Sequence, residues 1–366
     1  MQKQIQEKNC EILSSYKPSI CLNCSLVLTF LLLFQVGFSQ YNLSGIEAIL
    51  TRNKQALGGK AVVLVSKDGK IIYQKEIGED FKPETPAPIG TSSKWLTAAL
   101  VMTFVDKGEL SLDDPVSKYL PVFSSYSKGY ITIRQCLSET TGIESEQKKV
   151  SRMVQKNKFE SLEEEVNYFA AHKDIVVNPG KEFYYGETGY NIAGRVLEVV
   201  SKRKTFSKLM QERITRPLTM RKTNFANESG EGAENPAGGA VSTAGDYIKF
   251  MTMLLNGGQF NGKQILSKES VEELEKISAA GVPVKSAPKT TQGLSYGLGT
   301  WISESDKSGK SSVISAPGTN GTWPFIDRCR NYAAVIFTGQ LPVEQKRDVF
   351  TAVKEEIDQQ IKSGCQ

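Results

Sequence analysis

The sequence has a single histidine, His172, among its 366 residues. One histidine excludes the paired imidazoles of a metalloprotease-type site and disfavours other zinc hydrolase sites. The sequence also lacks a phosphate-binding glycine-rich loop and the G-x-S-x-G turn that presents a nucleophilic serine. A hydrolase built from this chain therefore needs a base other than histidine, such as lysine or tyrosine.

His172 itself falls at the end of a predicted helix that begins after Ser161, where a capping box pairs Ser161 with Glu164. A protonated imidazole there suits the negative end of the helix dipole. We interpret His172 as a helix-terminal residue rather than a catalytic one.

An apolar run, "SLVLTFLLLFQVGFS", occupies residues 25–39 after three lysines. It ends with Gly37 and Ser39 at the −3 and −1 positions of a small-residue cleavage site, and it is short for a membrane span. We predict a signal peptide at 1–39 and an exported mature chain at 40–366, periplasmic or secreted. The alternative is an uncleaved anchor, which would place the protein at the membrane.

The chain has few cysteines and a small net charge. Of six cysteines, three precede the predicted cleavage site, and the remaining Cys136, Cys329 and Cys365 are odd in number, which argues against a disulfide framework. The net charge of +5 is mild and dispersed, so no nucleic-acid partner is expected.

The stretch "PIGTSSKWLTAALVMTFVDKGEL", residues 88–110, places Lys94 in an unusual setting. Residues 95–105 are apolar on almost every side, which predicts a buried helix, with Gly108 as its left-handed stop. In the first turn of such a helix, the dipole and burial both disfavour a cation. Either Thr91 caps the helix and Lys94 reaches solvent along its stem, or Lys94 is a general base for the hydroxyl three residues earlier, Thr91.

The rest of the chain predicts one split antiparallel sheet with a helical insertion, an α/β (α+β) fold. "AVVLVSKDGKIIYQKEIG", residues 61–78, forms two strands joined by an Asp-Gly turn. Helical patterns fill the middle, including a short helix from Asp114 to about Pro121, and strand patterns return at 295–303, 311–316, 322–327 and 332–339 before a closing helix at 343–361. The sheet part covers about 43–90 and 290–366, and the helical part about 108–285.

Three stretches then occur in a familiar order. "IGTSSK" (89–94) resembles the S-x-x-K box of serine β-lactamases and penicillin-binding proteins. "PGKEFYYGETGY" (179–190) resembles the tyrosine box of the class C β-lactamase and esterase branch, and "SAPGTNGTWPFID" (315–327) its third box. Connecting segments match too, such as "ITIRQCLSETTGI" (131–143). The resemblance runs from about residue 45 to 361 and implies the β-lactamase/transpeptidase-like fold with an inserted all-helical subdomain.

The resemblance also implies roles for particular residues. Thr91 stands at the position of the nucleophilic serine, where its extra methyl stiffens χ1. Lys94 and Tyr185 would transfer protons, and the backbone amides of Thr91 and Thr319 would form the oxyanion hole.

Two boxes differ from the family pattern in charge. Glu187 replaces asparagine in the tyrosine box, where a carboxylate near Lys94 would keep that lysine protonated. Ala316 replaces the lysine or histidine of the third box, which makes a true β-lactamase a weaker expectation than an esterase or peptidase. Glu187 and Gly318 are the predicted substrate-binding residues.

Two functions therefore remain open. The first is an acyl hydrolase that acts on small esters, amides or peptides through a covalent acyl-enzyme on Thr91. The second is a catalytically impaired pseudoenzyme that uses the same pocket to bind a ligand or peptidoglycan. No cofactor and no metal is expected for either.

We predict that the native exported protein begins at Gln40, because the apolar run ends at Ser39 in a cleavage-site pattern. Intact-mass measurement of protein purified from its own cell envelope or medium tests this. A mass that includes residues 1–39 would reject cleavage and support the anchor.

Overall fold

We analysed a computed structural model of the chain. The structure describes residues 41–143, 159–202, 204–225, 232–339 and 347–365. The predicted signal peptide and the first residues of the predicted closing helix lie outside this set. Leu43 to Gln366 form one compact unit. In the described ranges, every helix is too short or too polar to cross a lipid bilayer.

Seven strands form one antiparallel sheet. Their spatial order is β2 (Lys70–Ile77), β1 (Ala61–Lys67), β13 (Tyr332–Thr338), β12 (Trp323–Asp327), β11 (Ser311–Ser315), β10 (Trp301–Ser305) and β9 (Ser295–Tyr296). The first strand, β1, therefore pairs with both β2 and the last strand, β13, and the helical part is inserted between β2 and the later strands of this sheet. The described strands are β1 Ala61–Lys67, β2 Lys70–Ile77, β3 Ala87–Pro88, β4 Phe183–Tyr184, β5 Val241–Ser242, β6 Gln259–Phe260, β7 Lys263–Gln264, β8 Val284–Ser286, β9 Ser295–Tyr296, β10 Trp301–Ser305, β11 Ser311–Ser315, β12 Trp323–Asp327 and β13 Tyr332–Thr338.

The predicted hairpin at the start of the sheet is confirmed. Asp68 and Gly69 both have positive φ, 51° and 74°, as a two-residue type I′ turn requires. The predicted single strand at 295–303 is wrong, because the chain turns back on itself between β9 and β10. Gly299, at φ 82°, provides the left-handed conformation for that turn, and Trp301 pairs with Tyr296.

The helices pack on the sheet and form the inserted part. They are α1 Ser44–Arg52, α2 Ser93–Val105, α3 Val122–Ser125, α4 Ile133–Leu137, α5 Leu162–His172, α6 Thr188–Val200, α7 Phe206–Met210, α8 Ala244–Leu255, α9 Lys268–Glu275 and α10 Arg347–Gln360. The short helix predicted from Asp114 to Pro121 is only a 3₁₀ turn, Val116–Lys118, followed by α3.

Helix α2 is the central element of the core. Every residue from Ser93 to Phe104 is buried, which confirms the prediction of a helix that is apolar on all sides. Trp95 packs edge-on against Phe250 of α8, with ring centroids 5.7 Å apart. The helix ends as predicted near Gly108, whose φ is 65°. This rigid helix fixes the positions of the residues in its first turn.

A disulfide joins Cys329, in the turn after β12, to Cys365 near the end of the chain. The expectation from the odd cysteine count is therefore wrong. An odd count excludes only complete pairing, and among the cysteines that the structure describes, Cys136 is the free one, buried inside the helical part. The Cα atoms of the disulfide lie 5.0 Å apart, within the usual range. The bond attaches the tail after α10 to the sheet.

We predict that reducing this disulfide lowers the free energy of unfolding by about 4 kcal/mol, because it closes a loop of 36 residues. Urea unfolding with and without dithiothreitol measures the difference. The control is the Cys329→Ser/Cys365→Ser double variant, in which the reductant should have no effect. Equal stability of the oxidised and reduced wild type would contradict the prediction.

Candidate active site

The turn that carries Thr91 is a short 3₁₀ helix, Gly90–Ser92, which leads directly into α2. It packs against the loop 316–322 that joins β11 to β12. A Cβ at Gly318 would lie 2.0 Å from the carbonyl oxygen of Ile89, so only glycine allows this close approach. The first box and the third box of the sequence therefore meet backbone to backbone.

Of the three hydroxyls at residues 91–93, two are buried and form hydrogen bonds with the backbone. Ser92 donates a 2.7 Å hydrogen bond to the Ala316 carbonyl. Ser93 donates to the Gly90 carbonyl at 2.6 Å and accepts from the Ala240 amide at 3.0 Å. Neither serine has any exposed surface, so neither can meet a substrate.

Thr91 is the partly exposed hydroxyl of the turn. Its Oγ1 donates to the Pro317 carbonyl at 3.2 Å, which is long for a bond between two oxygens. The predicted side-chain cap at Thr91 is wrong, because the residue before α2 is Ser92 and no side chain caps the helix. Thr91 is thus free to turn toward a substrate at the cost of one weak hydrogen bond.

Lys94 does not extend to solvent, because its exposed fraction is only 1%. Its ammonium forms a salt bridge with Glu139 and donates a 2.5 Å hydrogen bond to the Gly186 carbonyl. The face of the Tyr185 ring lies 3.4 Å from Nζ, and the Tyr190 ring lies 5.0 Å away. A carboxylate, a carbonyl and two aromatic rings thus replace the water around the charge.

Backbone geometry places Glu139. Helix α4 ends at Leu137, and the amide of Thr140 donates back to the Gln135 carbonyl at 3.0 Å. Glu139 has a φ of 60° and occupies the left-handed position of this Schellman motif, which glycine usually fills. A left-handed conformation at a side-chain-bearing residue costs free energy and is concentrated at functional sites.

Glu139 also connects Lys94 to the tyrosine box. Its carboxylate accepts the Gly186 amide at 3.2 Å, and its backbone carbonyl accepts the Tyr184 amide at 3.0 Å. Since Gly186 also accepts a hydrogen bond from Lys94, the three residues form a closed ring of contacts. Tyr185 lies between Tyr184 and Gly186, which both donate to Glu139, so these two hydrogen bonds fix its place in the chain.

Sequence reasoning missed Glu139 and named Glu187 as the carboxylate beside Lys94. The structure gives the direct salt bridge to Glu139, while Glu187 acts on Lys94 only through its electrostatic field. A signal was present, since Glu139 is the one charged residue in "QCLSETTGI" (135–143). A buried lysine needs a counter-ion, and an isolated acidic residue in an otherwise uncharged segment is the sequence feature that indicates one.

The charges of the pair depend on burial and on each other. Burial lowers the pKa of Lys94, but the charges of Glu139, Tyr185 and Glu187 outweigh that effect and the pKa is raised. Burial raises the pKa of Glu139 to about 7, against the opposing effect of Lys94. Lys94 is therefore a cation at neutral pH. A protonated ammonium has no acceptor, so Lys94 must lose a proton before it can act as a base.

The tyrosine predicted to transfer protons lies beside Lys94. The Tyr185 ring packs on Trp301 at 5.3 Å and on Tyr296 at 6.0 Å between centroids, and its amide donates to Ser286 at 2.9 Å. These contacts hold the ring in the site. Its face, rather than its edge, is turned toward the ammonium.

The loop of the third box supplies backbone groups. Ala316 is buried, so its position presents no charge. Thr319 is exposed, and its amide nitrogen lies 3.1 Å from the point that a Cβ on Gly90 would occupy. That amide has no acceptor among the described residues. The structure thus brings the Thr319 amide next to the turn of Thr91, as an oxyanion hole requires.

Glu187 lies at the start of helix α6, on the other side of the site. Its carboxylate accepts a hydrogen bond from the Asn235 side-chain amide at 3.3 Å. Nearby, Glu165 of helix α5 accepts from Asn191 at 3.0 Å, and burial together with the charge of Glu187 raises its pKa to about 7. Carboxylates are therefore abundant in this part of the site.

Metal-ligand side chains are not clustered in the described residues, and His172 lies at the end of a helix. Within the described ranges, no group of three or more acidic, cysteine or histidine residues is arranged to hold a metal ion. His172 is the last residue of α5, is exposed, and stacks on Tyr168 with centroids 4.4 Å apart. This position agrees with the interpretation of a helix-terminal residue.

The sequence profile of the beta-lactamase family matches residues 50–356. Among individual proteins, the chain is 21% identical over 325 residues to D-alanyl-D-alanine-carboxypeptidase/endopeptidase AmpH of Escherichia coli strain K12, which covers 81% of this chain and 83% of AmpH. It is 29% identical over 175 residues to protein flp of Staphylococcus aureus strain NCTC 8325 / PS 47. That match covers 45% of this chain and only 34% of flp, so the chain spans about a third of these staphylococcal relatives.

Solved structures show the same fold. A beta-lactamase candidate from Bacteroides dorei DSM 17855 superimposes with a TM-score of 0.78 and 28% identity, over 87% of this chain and 98% of the other. EstCE1, a hydrolase with promiscuous acyltransferase activity, superimposes with a TM-score of 0.71 at 20% identity, over 87% and 99%. The predicted fold class is confirmed.

We predict that Glu139→Gln lowers the pKa of Lys94 more than Glu187→Asn does, because only Glu139 contacts the ammonium directly. If neutral Lys94 accepts the proton of Thr91, the alkaline rise in the rate of acylation shifts to lower pH in both variants and further in Glu139→Gln. The measurement is the rate of labelling by a fluorophosphonate from pH 6 to 11.

The matched control for that series is Glu163→Gln, which removes an exposed carboxylate that pairs with Arg195 on the outer side of α5. Its pH profile should equal that of the wild type. Identical profiles for Glu139→Gln and the control would show that Glu139 does not set the protonation of Lys94.

Proposed function

The chain belongs to the beta-lactamase family, and on that premise we propose that it is an acyl hydrolase whose covalent intermediate forms on Thr91. The observation that carries the proposal is the difference among the three hydroxyls. Ser92 and Ser93 are buried and bonded to the backbone, whereas Thr91 is partly exposed beside the Thr319 amide. Thr91 is the hydroxyl of this turn that a substrate can reach.

The proposed reaction has two steps. Lys94 or Tyr185 first releases its own proton to water; Thr91 Oγ1 then forms a bond to the carbonyl carbon of the substrate, and the hydroxyl proton passes to that deprotonated side chain. The bond to the leaving alcohol or amine then breaks as that group takes the proton. Water attacks the resulting ester, releases the acid and restores the Thr91 hydroxyl. The amides of Thr91 and Thr319 stabilise the oxyanion in both steps.

The positive charge of Lys94 favours reactive esters over amides as substrates. Lys94 carries its proton at neutral pH, so the hydroxyl of Thr91 is only weakly activated. A weakly activated nucleophile acts fastest on a substrate whose leaving group departs easily. The similarity to EstCE1, a hydrolase, and to the carboxypeptidase AmpH agrees with an ester, amide or peptide substrate. Ala316 offers no cation for the carboxylate of a β-lactam.

A second function has one specific observation in its favour. The ammonium of Lys94 contacts Glu139, the Gly186 carbonyl and the Tyr185 ring. These contacts stabilise the protonated lysine, which cannot accept a proton from Thr91. A pseudoenzyme that binds a ligand in the same cleft would keep these contacts. Acylation of Thr91 distinguishes the two functions, because only the hydrolase forms an adduct.

We predict that a fluorophosphonate or a fluorescent penicillin labels the mature protein on Thr91. Thr91→Ser removes a methyl group, frees χ1 and should raise the rate of labelling about tenfold. Thr91→Val keeps the shape but deletes the oxygen, so labelling should be lost while the fold remains. Peptide mapping by mass spectrometry identifies the modified residue.

The control is Ser93→Ala, which removes two buried hydrogen bonds. It should lower the free energy of unfolding by roughly 1–3 kcal/mol yet leave Thr91 labelled. If the wild type and Thr91→Ser both stay unlabelled while a ligand still raises the melting temperature, the hydrolase is rejected and the pseudoenzyme stands. An adduct on Ser92 or Ser93 would show that the nucleophile was misassigned.

A further inference from the structure

We infer that the cleft selects esters and amides that carry a protonated amino group, and that Glu187 is the residue that binds this ammonium. The cleft here means the space bounded by the Thr91 turn, Thr319, Tyr185 and Glu187. The turnover part of the inference rests on the proposed acyl hydrolase, whereas the binding part does not require catalysis.

The position of Glu187 supports this role. The point that a Cβ on Gly238 would occupy lies 3.8 Å from Glu187 Oε1 and 3.9 Å from the carbonyl carbon of Gly90. The carboxylate and the turn that carries Thr91 therefore both lie within 4 Å of one point, where their nearest neighbour is the Asn235 side-chain amide at 3.6 Å. Glu187 is also partly exposed, so a ligand in the cleft can reach it.

The charge of Glu187 is poorly compensated within the protein. Lys94 is in contact with Glu139 instead, and the nearby Lys173 donates a hydrogen bond to Thr188. The described hydrogen bond to Glu187 comes from the neutral side-chain amide of Asn235 and is 3.3 Å long. A partly exposed carboxylate with one weak neutral donor has remaining acceptor capacity for a strong, charged donor.

Neighbouring groups respond to the negative charge of Glu187. Its field is one of the causes that raise the pKa of Glu165 and of Glu139, both to about 7 after burial has acted. It also contributes to the raised pKa of Lys94. A cation bound at Glu187 would therefore relieve repulsion from two other carboxyl groups.

The loop 316–322 beside the Thr91 turn has no cationic side chain that could bind an anionic substrate. Ala316 is buried and uncharged, and the residues that follow it toward the cleft, Thr319 and Asn320, are neutral. A substrate carboxylate would meet Glu187 without an offsetting cation. The electrostatic preference of the cleft is therefore for a positively charged substrate.

The test compares three thiobenzyl esters that share one reacting carbonyl: those of alanine, N-acetylalanine and N-succinylalanine, which are cationic, neutral and anionic near the ester. Activity is measured as kcat/KM at pH 7 for the wild type, Glu187→Gln and Glu79→Gln. Glu79 is exposed, so its variant controls for the loss of one negative charge. Because the ammonium changes ester reactivity by itself, the result is the alanine to N-acetylalanine ratio compared among the variants.

We expect this ratio to be about tenfold higher in the wild type and in Glu79→Gln than in Glu187→Gln, as for one charge pair at a partly exposed site. The difference should shrink in 0.5 M salt, and the succinyl ester should be the poorest substrate of the wild type. An equal ratio in the wild type and in Glu187→Gln overturns the inference, and hydrolysis of the neutral ester in that case leaves the acyl hydrolase intact.

If no ester is hydrolysed, a binding measurement distinguishes the inference that Glu187 binds a cation from the proposal that the protein is an acyl hydrolase. Calorimetry with alaninamide and N-acetylalaninamide should show tighter binding of the cation to the wild type and loss of that preference in Glu187→Gln. With no hydrolysis, this outcome would reject the acyl hydrolase and support the inference. No binding of alaninamide, or binding that is unchanged in Glu187→Gln, would overturn the inference.

Discussion

The burial of one ammonium group determines how this site is built. Lys94 lies in the first turn of a helix that is buried on every side, where water cannot solvate it and the helix dipole opposes it. A buried cation without a partner costs several kcal/mol. The chain provides that partner through Glu139, held in a left-handed conformation at the end of α4, and through the Gly186 carbonyl. The position of the tyrosine box follows from this requirement.

The same requirement determines which charged groups surround Lys94 inside the family fold. The sheet and the helical insertion are those of the beta-lactamase family, and Lys94 and Tyr185 remain together inside them. Around them, Glu139 neutralises Lys94, Glu187 adds a second carboxylate and Ala316 brings no cation. The proposed threonine nucleophile and the protonated lysine would suit slow acyl transfer from reactive substrates, and the excess of carboxylates would suit the cationic substrate that we infer.

Much of the fold could be predicted from the sequence because its signals are local. The Asp68-Gly69 turn, the apolar pattern of α2 and the cap at Ser161 each depend on a few adjacent residues. The partner of Lys94 is not local, since Glu139 is 45 residues away and reaches the lysine through a backbone conformation unusual for glutamate. The Cys329–Cys365 pairing spans 36 residues, and a count of cysteines cannot specify which residues pair. Contacts of that kind become visible only in three dimensions.

The central claim is that Lys94 is a buried cation held by Glu139, and nuclear magnetic resonance tests it most directly. The protein is labelled with ¹³C at lysine Cε, and the Lys94 signal is assigned by its absence in Lys94→Met. We expect this signal to keep the chemical shift of protonated lysine from pH 6 past the pH at which exposed lysines titrate, because its pKa is raised. A Lys94 signal at the neutral-amine position at pH 7 would contradict the account.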